Sequence, residues 1–216
     1  IVDSTRQAVQ RAQSVADLGL AALQVTPVHY LFRPDDDAMT AHFARLAAEA
    51  PAPIMIYNVV PWSYCLPALL TRIITEVDGV IGVKQSAGDM KLMADLLLLL
   101  EGRGTVFSAV DALLYPSFLL GADGAIAAIL TACPELCVSL WDAVQAGNQA
   151  AALRLHEDLL RIWNAIEAPN LPANVKTAMT MQGRPGGKSR EPMPASSPEQ
   201  TEAIRSALVA AGIAIV

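Results

Sequence analysis

GVIGVKQSAGD, residues 79–89, carries a strand into a loop and ends that strand on an amine. Val80, Ile81, Gly82 and Val83 are apolar without alternation, as in a parallel strand covered on both faces. Lys84 closes the run. A helix, DMKLMADLLLLL (89–100), follows at once. A strand built for burial has no packing use for a charged end, so the neighbouring strands must say what the amine faces.

The same strand–helix pattern recurs on both sides of this stretch. Upstream, Asp3, Ser4 and Thr5 offer caps for a helix through RQAVQRAQSVADLG, closed by Gly19. ALQVTP (22–27) then reads as a strand stopped by Pro27. The three aspartates of DDD (35–37) read as caps of the helix AMTAHFARLAAEA. PIMIYN (53–58) is a strand and PALLTRIITEV (67–77) a helix. Downstream come TVFSA (105–109), DALLYPSFLLG (111–121), GAIAAIL (124–130) and PELCVSLWDAVQAG (134–147), as strand, helix, strand and helix. The alternation predicts an α/β fold of five βα units over residues 1–147. Beyond Gly147 it stops. Three amphipathic helices are expected over 148–216, the last capped by Ser196 or Ser197. GRPGGKSREPMPASS (183–197) is a loop by composition. Its GGKS is one residue short of a phosphate loop, and no strand precedes it. Five parallel strands do not close a barrel of eight. Either the sheet is open and doubly wound, or a barrel's first strands lie outside this sequence; the abrupt start at Ile1 favours the latter.

Composition narrows the function. The chain has 216 residues, 53% apolar, with a net charge of −6, enough for a sizeable core. Nothing forms a basic footprint for nucleic acid. LMADLLLLL (92–100) is too short for a bilayer, which needs about 20 residues. No secretion leader is expected. Cys65, Cys133 and Cys137 form no disulfide framework and predict reduced thiols in a cytoplasmic protein. They read as buried small hydrophobes, not as a zinc site.

In parallel α/β folds the chemistry gathers at the carboxyl ends of the strands. Those ends hold Thr26, followed by His29 and Tyr30; Tyr57 and Asn58; Lys84; and Ser108, with Asp111 just beyond. Desolvation favours the neutral form of an amine. A neutral amine attacks a ketone to form a Schiff base, and the iminium stabilises a carbanion on the adjacent carbon. The plain alternative is a lysine that snorkels into water. Tyr57 ends the neighbouring strand, so its phenol is placed to relay a proton to or from Lys84; the plain alternative is ring packing with a wet tip. Metal-dependent aldolase chemistry needs clustered histidines and carboxylates. His29, His42 and His156 are widely spread, and the latter two read as solvated helix residues. No metal and no cofactor are expected.

The segments YNVVPWS (57–63), GVKQSAGD (82–89) and LGADGAIAAI (120–129) resemble the dihydrodipicolinate synthase and N-acetylneuraminate lyase family, as do QVTPVHY (24–30) and NLPANVKTAM (170–179). The resemblance runs in order along essentially the whole chain. It implies a (β/α)8 TIM barrel with extra C-terminal helices, usually a homotetramer, with a dimer as the smaller form. It implies Schiff-base chemistry on pyruvate or a related 2-oxo acid, with an aldehyde as second substrate. Carried over, Lys84 is the Schiff-base residue and Tyr57 the proton relay. Tyr30 matches the tyrosine that reaches a neighbouring subunit's site, Ile126 a position whose carbonyl faces pyruvate. Asp111 and Ser108 fall in the substrate loop. Two departures stand out. Members that make dihydrodipicolinate carry an arginine soon after the YN-V-P segment, where this chain has Trp62 and Tyr64 in VPWSYC. The loop Ser108-Ala109-Val110-Asp111 lacks the family's glycine and one acidic residue. A bulkier or aromatic aldehyde partner is the expectation. A relative that binds a 2-oxo acid as sensor or scaffold is the alternative. The family's carboxylate-binding Gly-Thr-Thr-Gly segment lies in strands that would precede Ile1.

Overall fold

The computed structural model describes residues 1–29 and 32–216. It divides into two compact units, Ile1–Val110 with Leu119–Ala125, and Asp111–Phe118 with Ile126–Val216.

The first unit holds helix α1 (Thr5–Gln13), strand β1 (Leu23–Val25), α2 (Asp36–Glu49), β2 (Ile54–Asn58), α3 (Pro67–Glu76), β3 (Val80–Gln85), α4 (Met90–Leu100), β4 (Thr105–Ser108) and β5 (Gly124–Ala125). The five strands form one sheet in chain order, and every pairing is parallel. Parallel neighbours that follow the chain are what successive βα units produce. Its core joins Phe43 and Leu46 of α2, Ile54 and Ile56 of β2, Leu70 and Ile73 of α3, and Leu96 of α4, all 0% exposed. The aspartates cap as expected: the Asp35 carboxylate accepts from the Ala38 N–H at 2.8 Å. Gly82 shows why β3 carries a glycine. A Cβ there would sit 2.1 Å from the Thr105 carbonyl oxygen.

The second unit is helical: all but the last residue of α5 (Leu114–Leu119), then α6 (Ile129–Ala132), α7 (Pro134–Gln145), α8 (Gln149–Ile166), α9 (Leu171–Met181) and α10 (Pro198–Ala210). Of the two candidate caps of α10, Ser197 makes the capping box with Gln200. The Ser196 hydroxyl instead donates to Asn174 Oδ1 at 2.7 Å.

Three expectations need correction. The first helix ends at Gln13, where the Ser14 hydroxyl donates back to the Arg11 carbonyl at 2.8 Å and competes with the helix ladder. A separate 3-10 turn, Ala16–Leu18, carries the chain to Gly19, whose φ is 61°. The run GAIAAIL is strand only at Gly124–Ala125, because an Asp111 carboxylate oxygen takes the Ile129 N–H at 2.7 Å and starts α6 there. A short apolar run is ambiguous between the two structures. Finally, His42 is no solvated residue. It is 4% exposed, with Nδ1 3.0 Å from the Thr5 hydroxyl. His156 is half-buried, its ring 5.5 Å from that of Tyr115. Among the described residues, no helix is long and apolar enough to cross a membrane.

Candidate active site

The register of β2 against β3 pairs Tyr57 with Lys84 and Asn58 with Gln85. The register of β3 against β4 continues both rows, to Phe107 and to Ser108. Side chains alternate across a strand. Tyr57, Lys84 and Phe107 therefore share one face of the sheet, and Asn58, Gln85 and Ser108 the other.

On the first face the Lys84 amine stands over the Tyr57 ring, 3.8 Å from its centroid. Both residues are half-buried. An ammonium over an aromatic face is held by the ring quadrupole, worth about 0.5–2 kcal/mol depending on desolvation. Sequence reasoning expected the phenol to point at the amine, whereas the ring face does. Among the described residues no hydrogen bond joins the two. The hydroxyl of Thr26, just past β1, is buried and has no hydrogen-bond partner among the described residues.

The loops beyond the strand ends are tied to one another. The Ser63 hydroxyl donates to the Val28 carbonyl at 2.9 Å. The Tyr64 hydroxyl donates to the Ser86 carbonyl at 3.4 Å. His29 Nδ1 lies 3.1 Å from the Pro27 carbonyl oxygen, and its ring meets Trp62 edge-on at 6.2 Å. Trp62 itself is 62% exposed, so this rim presents an indole to solvent.

Ser108 is fully buried on the face of Asn58 and Gln85, turned from Lys84 by the one-residue alternation of β4. Its position at a strand end is as read. Asp111 and Ile126 belong to the second unit and are half-buried. Asp111 has one carboxylate oxygen engaged by the Ile129 N–H, a capping role that composition did not signal. Tyr30 lies outside the described residues. The thiols are buried, and burial raises their pKa, to about 12 for Cys65 and Cys137 and about 11 for Cys133. Among the described residues, no three His, Cys, Asp or Glu side chains gather to hold a metal ion.

The family model for the dihydrodipicolinate synthetase family matches residues 2–211. The chain belongs to that family. Its members are carbon–carbon lyases. A 4-hydroxy-tetrahydrodipicolinate synthase of Nitratidesulfovibrio vulgaris is 31% identical over 98% of this chain and 73% of its own length. The solved structure of a dihydrodipicolinate synthase from Aquifex aeolicus aligns with a TM-score of 0.84 at 26% identity, covering 99% of this chain and 73% of that one. A chloride-inhibited dihydrodipicolinate synthase from Acinetobacter baumannii, solved with pyruvate, gives 0.88 at 25% identity over 98% of this chain and 73% of its own. The fold class is accordingly α/β of the TIM-barrel kind, and the five in-order parallel strands are βα units of that barrel.

Proposed function

We propose that this protein is a class I lyase that joins or splits a pyruvate-type 2-oxo acid and an aldehyde through a Schiff base on Lys84. The observation that carries this is the amine held 3.8 Å over the ring of Tyr57 at paired strand ends. In the condensing direction, the Lys84 amine attacks the keto carbon, the carbinol oxygen takes up a proton and leaves as water, and an iminium forms. Loss of a proton from the adjacent carbon gives an enamine. The enamine carbon bonds to the aldehyde carbon, whose oxygen takes up a proton. Water then hydrolyses the iminium and frees the amine. Cleavage is the reverse. The Tyr57 phenol relays the protons, and by family resemblance Tyr30 supplies a further hydroxyl from a neighbouring copy in a tetramer or dimer. The same family resemblance assigns the Ile126 carbonyl to the bound acid and Asp111 to the loop for the second substrate. The buried face of Ser108 leaves it out of these contacts. Residues 148–216 act as a helical extension of the barrel, in a cytoplasmic enzyme.

The exposed Trp62 supports an aldehyde with a flat or apolar body in place of one with a second carboxylate. A sensor or scaffold that binds a 2-oxo acid is the second reading, favoured by the Asp111 carboxylate being spent on a helix N-terminus. Incubation with pyruvate and borohydride should fix one adduct on the peptide holding Lys84, and none on Lys84→Ala. A wild-type protein that yields no adduct overturns the lyase proposal. Adduct formation without turnover across a panel of 2-oxo acids and aromatic aldehydes selects the sensor.

A further inference from the structure

Directly behind the amine and the phenol, on the opposite face of the same two strands, lie two buried amides. Asn58 is 1% exposed and Gln85 2%. Asn58 Nδ2 donates both to the Cys65 carbonyl, at 3.0 Å, and to Gln85 Oε1, at 3.1 Å. Its Oδ1 accepts from the Cys65 N–H at 2.9 Å. Gln85 Oε1 also accepts from the Ala87 N–H, at 3.2 Å. The backbones join as well: Ser86 N–H donates to the Asn58 carbonyl and Ala109 N–H to the Gln85 carbonyl. One cross-strand node thus ties the loop after β2 to the loop after β3.

We infer that Asn58 and Gln85 are positioning residues, which hold Lys84 over Tyr57 by locking the two strand ends that carry them. The inference rests on the reading of Lys84 as the Schiff-base residue. Two covalent facts give the node its leverage. Asn58 adjoins Tyr57, and Gln85 adjoins Lys84, so a shift of either amide moves the backbone of a reacting residue. Register and alternation keep the amides out of the site itself, so neither touches substrate. The geometry also fixes which atom of each amide matters. Gln85 works only as an acceptor in these bonds, through one oxygen that takes two donors. Asn58 must donate and accept together. The two positions should therefore respond differently to the same chemical change. Gln85→Glu keeps an acceptor for both Asn58 Nδ2 and the Ala87 N–H. Asn58→Asp loses the donor that serves Cys65 and Gln85, and no rotation of Gln85 repairs it without abandoning Ala87.

Two readouts test this. In protein carrying 13C-labelled lysine, the ε-CH2 of Lys84 should show an upfield ring-current shift from Tyr57. Gln85→Met and Asn58→Asp should lose most of that shift, and Gln85→Glu should keep it. Borohydride trapping with pyruvate should slow tenfold or more in the first two variants at temperatures where they stay folded, with kcat falling and KM little changed, and recover in Gln85→Glu. A node that merely stabilises the fold would lower the unfolding midpoint and leave the shift and the trapping rate of folded protein alone. An unchanged ring-current shift in Gln85→Met overturns the positioning role whatever the wild type does with pyruvate. A shift lost in Gln85→Met in a protein whose wild type forms no adduct keeps the clamp and removes the Schiff-base reading instead.

Discussion

The buried imidazole of His42 makes acid stability a measurable consequence of the fold. Its ring is 4% exposed, packs edge-on at 5.0 Å against Phe43, and uses only Nδ1, toward the Thr5 hydroxyl. Nε2 is buried with no hydrogen-bond partner among the described residues. Protonation would place a charge there with nothing to receive it, and burial pushes the pKa down from 6.5 to about 4. The unfolded chain takes up its proton near pH 6.5, whereas the folded protein resists until about pH 4. Between those values the unfolded state binds more protons, so stability is full above about pH 6.5 and falls as the pH falls. At ~1.4 kcal/mol per pH unit the loss reaches about 3 kcal/mol, a large part of a typical total of about 5–15 kcal/mol. Urea unfolding followed by circular dichroism at steps from about pH 7 to about pH 4 measures it. Carboxylates titrate in the same range, so the quantity to read is the difference between wild type and His42→Gln. The substituted amide keeps an acceptor for Thr5 and does not titrate. The wild-type curve should fall more steeply, by up to one proton. Parallel curves would refute the reasoning, because they would mean that His42 charges as easily in the fold as out of it.

Three further outcomes follow from the geometry. Gly82→Ala puts a Cβ 2.1 Å from the Thr105 carbonyl oxygen of the next strand; overpacking against backbone should cost about 3 kcal/mol or more, and an unchanged urea midpoint would mean the strands separate freely. Tyr57→Phe keeps an aromatic face under the Lys84 amine while removing the phenol. It should retain the borohydride-trapped adduct but lose about 10²-fold or more in turnover; wild-type turnover would dismiss the phenol as a proton relay. Thr26→Val removes a buried hydroxyl that has no partner among the described residues, so the melting temperature should rise with about 1 kcal/mol of added stability, and a fall would show that the hydroxyl is bonded.

The fold was legible where pattern and burial coincide. Strands β2, β3 and β4 are apolar runs between turn signals, and each lies within a residue or so of its expected bounds. Periodicity failed where one polar contact decides the backbone. Ser14 stops a helix whose apolar pattern would have carried it on to Leu18. Asp111, eighteen positions upstream, turns the end of an apolar run into α6. His42 sits in a helix of mixed composition, and local sequence does not say that Thr5 of a different helix will bury and engage it.

The site was legible as a place and illegible as a direction. That strands β2 and β3 would be neighbours carrying Tyr57 and Lys84 near their carboxyl ends follows from βα alternation, and their pairing is a matter of register. Register also carries information that strand ends alone do not. Tyr57, Asn58, Lys84 and Ser108 look like one set of rim residues when read along the chain, but a single step of alternation divides them. One row, 57, 84 and 107, presents an amine on an aromatic face. The next, 58, 85 and 108, is almost wholly excluded from water. Buried amides must be bonded, so the second row is obliged to build the node that joins the two strands. A polar residue at the end of a parallel strand can thus serve chemistry or serve the position of its neighbour. Which one it does depends on whether its count from the paired residue is even or odd, and an amphipathic rim in the sequence hides that count until the register is known.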